Sequence, residues 1–95
     1  MSTKAAYQQK LQAQLDEWGA EIDKLQAKSD KVGADARIEY DQQIQKLRSM
    51  KTDAEQKMKN LKNAGEGAWE DLKTGLDSAW DALGRATKSA AEKFK

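Results

Sequence analysis

Apolar residues recur along the first third of the chain at helical spacing. Leu11, Leu15, Trp18, Ile22 and Leu25 are separated by alternating steps of four and three. Such a heptad seam marks a helix that packs along one narrow face. Val32 continues the seam, with Ser29 as a polar seam position. Near Gly33 the register slips by four residues, a stutter, to Ala36, Tyr40, Ile44 and Leu47.

From Leu47 onward the period changes. Met50, Ala54, Met58, Leu61, Gly65, Trp69, Leu72, Leu76, Trp80, Leu83, Thr87, Ala91 and Phe94 follow in steps of three, four and four, an 11-residue repeat. Its clearest copies are Ala68-Trp69-Glu70-Asp71-Leu72 and Ala79-Trp80-Asp81-Ala82-Leu83. Eleven residues fill three turns at about 3.67 per turn, so this stripe runs nearly parallel to the helix axis.

The breakers divide the pattern. Asn63-Ala64-Gly65-Glu66-Gly67 is the densest cluster, whereas Gly33 stands alone. A lone Gly costs a helix roughly 1 kcal/mol relative to Ala and is often absorbed. Three helices of near-equal length (about 3–31, 35–62 and 67–94) would suit a spectrin-like monomeric bundle. Each helix of such a bundle buries a wide stripe, three to four positions per two turns. Here each stripe is narrow and much of it is Ala. The pattern therefore predicts an all-α single domain over 1–95, built as a long-helix hairpin or coiled coil. Its long helix covers about 4–62, its breaker cluster 63–67, and its second helix about 67–94. At 1.5 Å per residue the helices would be about 89 Å and about 42 Å long. Most of the long helix's N-terminal seam would then lack a partner, and a second copy of the chain is the simplest cover. A homo-oligomer, dimer or tetramer, is expected.

Composition sharpens this picture. Of 95 residues, 8 are Leu, 3 Ile, 1 Val and 1 Phe, while 15 are Ala. A Leu, Ile, Val and Phe share below roughly 20% is low for a domain with its own core. Pro is absent, which removes the strongest helix breaker. Cys and His are absent too, which excludes disulfides, the usual zinc and haem ligand sets, and Cys or His nucleophile/base chemistry. Charge is plentiful but balanced at a net +1. It comes in blocks: +2 over residues 1–15, −4 over 16–41, +4 over 43–63, −4 over 66–81 and +3 over 85–95. A turn at 63–67 sets the third block against the fourth, and a turn at Gly33 would set the second against the third. Exposed pairs contribute only about 0.2–1 kcal/mol each, so the blocks select orientation more than they stabilise. The start of the chain shows no apolar signal region, and no run approaches the ~18 apolar residues of a membrane span. A cytoplasmic protein is expected.

Candidate chemistry is sparse. Trp18, Trp69 and Trp80 lie on the apolar stripes and need a dry partner for their large surfaces. They are expected to fill a helix–helix interface. The sharper alternative is an amphipathic face for a lipid surface or an unfolding client protein. Against a lipid surface stands the −4 charge of the block that carries Trp69 and Trp80. Lys46, Arg48, Lys51, Lys57, Lys59 and Lys62 form a basic block with no nucleic-acid motif around it, and no nucleic-acid partner is expected. The carboxylates Asp30, Asp35 and Glu39 do not follow a calcium-loop spacing, and Gly65-Glu66-Gly67 lacks the Lys of a phosphate-binding loop. No enzyme activity, cofactor, metal or small-molecule substrate is expected.

Taken together, Gln14-Leu15-Asp16-Glu17-Trp18, Ala34-Asp35-Ala36-Arg37-Ile38-Glu39-Tyr40 and the paired Ala-Trp repeats carry a likeness. Over nearly its whole length the chain resembles short bacterial coiled-coil proteins labelled stress-response proteins. The resemblance implies an all-helical, non-enzymatic protein linked to stress tolerance, with no catalytic residues to carry over. The expected function is a self-associating structural or interaction protein. The alternative is an amphipathic module that binds membrane surfaces or clients through the 11-residue Trp repeat. For either, the expected interaction residues on the first seam are Leu11, Leu15, Trp18, Ile22 and Leu25. On the second they are Met58, Leu61, Trp69, Leu72, Leu76, Trp80, Leu83 and Phe94.

Overall fold

Three helices, not two, carry the apolar stripes. The computed structural model describes residues 3–65 and 67–95. Helix α1 spans Thr3–Ser29, α2 Ala34–Asn63 and α3 Trp69–Lys93. Their lengths of 27, 30 and 25 residues are well matched, and the molecule measures 51 × 19 × 18 Å. Cross-helix contacts give the topology. Arg48 of α2 meets Asp23 of α1 at 3.5 Å and Lys93 of α3 meets Glu39 of α2 at 3.9 Å, so neighbours in sequence run antiparallel. Helices α1 and α3 run parallel, with Tyr7 beside Trp69 and Trp18 beside Gly84. The result is an up-down-up bundle.

The long helix expected over 4–62 is broken at 30–33. The last turn of α1 tightens, with Lys31 N–H donating to Lys28 O at 3.0 Å and Val32 N–H to Ser29 O at 3.4 Å. Gly33 then takes an extended conformation, φ −69° and ψ 167°, and α2 starts at the next residue. Burial decides the break. Folding back lets Leu15, Ile22 and Leu25 share one core with Ile44, Leu47 and Met58. Each large apolar side chain so buried contributes about 1.5–3 kcal/mol, more than the spread of up to about 1 kcal/mol in helix propensity among residues other than Pro. The second break falls within the predicted cluster: α2 ends at Asn63, and Ala64 is extended at φ −81° and ψ 144°. The helix α3 begins two residues later than expected and ends one residue earlier.

The narrow stripes suffice because small and polar residues share the interior. Ala54 and Ala90 are buried, which lets helices approach closely. Ser29 and Thr87 are buried as well, and both are satisfied: the Ser29 hydroxyl donates to Asp41 Oδ1 at 2.9 Å and the Thr87 hydroxyl to Leu83 O at 2.8 Å. A buried hydroxyl without such a partner would cost about 1–3 kcal/mol.

Candidate functional site

The expected interaction residues converge on the inside of the bundle. Leu11, Leu15, Ile22, Leu25, Met58, Leu61, Trp69, Leu76, Trp80 and Leu83 belong to one buried cluster. Trp18 and Phe94 are half-buried and pack against it. Only Leu72 departs, standing 37% exposed beside Lys57, Asn60 and Gly75. The N-terminal seam, expected to await a second copy, is thus covered by α2 and α3 of its own chain. In the last turns of α3, Ala90 is buried and Ala91 only half-buried, so the interior shifts one residue from the strict repeat.

The three Trp side chains sit differently. Trp80 donates its indole N–H to the Leu11 carbonyl oxygen at 3.0 Å, fixing α3 to α1. That bond satisfies the one polar atom of a buried side chain. Trp18 lies over Gly84, where a Cβ would stand only 2.8 Å from its Cζ2. Trp69 packs against Tyr7, ring centroids 5.8 Å apart, with the Lys73 ammonium 6.0 Å from the Trp69 ring centre and 5.5 Å from that of Tyr7. The Tyr7 hydroxyl donates to Asp77. Burial, the bond to Asp77 and the carboxylate's charge all favour the neutral phenol and push the Tyr7 pKa up. At the other end of the bundle Tyr40 stacks on Phe94 at 3.9 Å.

Between α1 and α3 these aromatics leave an open groove of about 380 Å³, with Tyr7, Trp18 and Trp80 in its walls and Lys10, Arg85 and Lys88 among its charged residues. Arg85 is engaged with Asp81 at 3.2 Å. Of the basic residues of α2, Arg48 pairs with Asp23 of α1, and Lys51 pairs with Glu55 while its side chain lies over Gly19 of α1. Among the described residues no cluster of three acidic side chains could hold a metal ion, and no helix is long and apolar enough to cross a membrane.

Sequence reasoning missed Tyr7, Arg37 and Gly84 as structural determinants. Tyr7 sits four residues before Leu11, one step upstream on the same seam. Arg37 donates to the carbonyls of Ser29 and Asp30 at 3.1 and 3.2 Å, closing the first turn. Gly84 gave no periodic signal because it contributes by the absence of a side chain. No protein family, no curated protein and no solved structure is matched by the chain. The likeness to bacterial coiled-coil stress proteins therefore rests on the quoted motifs.

Proposed function

We propose that the chain is a non-enzymatic structural and interaction protein, a preformed helical module that self-associates in a stress-linked setting. The observation that carries the preformed module is the mutual burial of Trp69, Trp80 and both apolar seams within one chain, and the run of the apolar pattern across Gly33 supports its self-association. A module built this way needs no membrane or client to become ordered. The stress setting is supported by the motif resemblance, and the non-enzymatic character by the residue types present. A protein whose Trp repeat docks on lipid or on unfolding clients would instead hold its seams open, and fold as it binds.

Trp emission and far-UV circular dichroism of the pure protein, with and without anionic vesicles, separate the two. Blue-shifted emission and full helicity before any addition, unchanged by vesicles, are expected. Weak helicity that rises together with a blue shift only on adding vesicles would overturn the proposal in favour of the amphipathic module.

A further inference from the structure

We propose that self-association proceeds by helix exchange: the 30–33 turn straightens, α1 and α2 fuse into one helix, and α1 of each copy packs on α2 and α3 of the other. The inference rests on the self-association proposed above and names its partner and its mode. Exchange of identical elements is a low-cost route to a dimer, since the packing of α1 on α2 and α3 is remade between chains and only the turn changes.

The turn itself motivates the inference. Nothing in it prevents a helix. It contains no Pro, and among the described residues no backbone φ is positive. The N-cap of α2 is Gly33, which offers no side-chain cap, and a Cβ placed on it meets nothing within 4 Å. Asp30 N–H still donates to Gln26 O at 3.1 Å, a helical bond one residue past the end of α1. The apolar pattern also runs on through the turn. Val32 and Ala36 extend the first seam into the second, yet Val32 is half-buried and Ala36 exposed in the closed form. In a fused helix both would lie along the joint seam.

What holds the turn shut is local. Arg37 donates to the Ser29 and Asp30 carbonyls, which have lost their onward helical partners. Along a continuous helix residues 29 and 37 stand about 12 Å apart, so these bonds exist only in the closed turn. The exchanged form replaces them with backbone bonds across residues 30–36. The fused helix over 3–63 would reach about 90 Å at 1.5 Å per residue, against 51 Å for the closed molecule.

Two neighbouring substitutions push the equilibrium in opposite directions. Gly33→Ala has room in the closed turn and favours the fused helix by roughly fivefold per hinge, hence about 25-fold in a dimerisation constant that contains two hinges. Ala34→Pro places proline at the first position of α2, preceded by a Gly33 already extended at ψ 167°. That position suits proline, whereas the interior of a fused helix excludes it. Solution mass by light scattering over a concentration series is the readout. The expected result is a larger dimer fraction for Gly33→Ala, no dimer for Ala34→Pro, and a Gly33→Ala dimer whose maximum dimension by small-angle scattering approaches that of the fused helix. Two results would overturn the inference. One is an Ala34→Pro variant that dimerises as readily as the parent chain. The other is a Gly33→Ala variant monomeric at every concentration. Trp emission of each variant reports whether its bundle is intact, so loss of the fold is not mistaken for loss of exchange. The preformed-module reading fails separately, on exposed Trp in the dilute parent chain.

Discussion

Gly84 and Gly75 lie nine residues apart on α3 and have opposite roles. At Gly84 the missing side chain is occupied by the Trp18 indole, and a Cβ would come within 2.8 Å of it. Indole and methyl group cannot both keep their places, and such overpacking typically costs about 1–3 kcal/mol. At Gly75 a Cβ meets nothing within 4 Å, so Ala adds helix propensity without a clash. Chemical denaturation should find Gly84→Ala destabilised by about 1–3 kcal/mol and Gly75→Ala stabilised by roughly 0.5–1 kcal/mol. Equal effects from the two would contradict the packing of Trp18 described here. This distinction was not legible in the sequence. Both glycines interrupt the same amphipathic helix, and only the arrival of α1 separates them.

At the scale of elements, the sequence disclosed α3 and the break before it. Two glycines and an asparagine within five residues are harder to absorb than one glycine, and the Trp-Leu spacing beyond them follows one helical face. The break at 30–33 showed only as a lone Gly33, a breaker that a helix can absorb, because no local residue imposes it. It follows from the gain when two seams, each with too little apolar surface alone, bury one another. Positions that weakened the seam on paper, Ser29 and Thr87 among them, proved compatible with the interior once each hydroxyl had an acceptor. The same logic fixes what α3 does. As interaction residues of a self-associating protein, Trp69 and Trp80 would hold an assembly together, and removing both would dissociate it. In the bundle they are core residues, 6% and 3% exposed. Truncating a buried Trp to Ala costs about 3–5 kcal/mol, and two such losses match the whole stability of a typical small domain. The Trp69→Ala, Trp80→Ala double variant should therefore lose most of its helical circular dichroism. Intact helicity with a halved solution mass would restore the interface reading.

At the scale of the molecule, the interaction residues read from the sequence all lie on the two seams, and all but Leu72 are in or against the core of their own chain. The pattern recorded which side chains must be dry, not whose helix dries them, because a heptad is satisfied equally by its own chain and by another. The charge blocks carry the same ambiguity. The +4 block of α2 runs beside the 69–81 stretch of α3, net −3, in the antiparallel pair, although among the described residues the ion pairs seen between helices are Arg48 with Asp23 and Lys93 with Glu39. Among the described residues the surface keeps few large apolar side chains, Ile38 at 59% and Leu72 at 37% exposure. A closed bundle with helix exchange at one turn accounts both for the inward seams and for the continuity of pattern across Gly33.

The central claim is that one chain satisfies its own seams. The thermal unfolding midpoint, followed by circular dichroism over a wide dilution series in the dilute range, tests it most directly. Once any exchanged dimer has dissociated, folding within a single chain is unimolecular, and the midpoint should stay constant on further dilution. A seam that needs a second copy makes stability depend on protein concentration. A midpoint that falls steadily with each dilution would contradict the account.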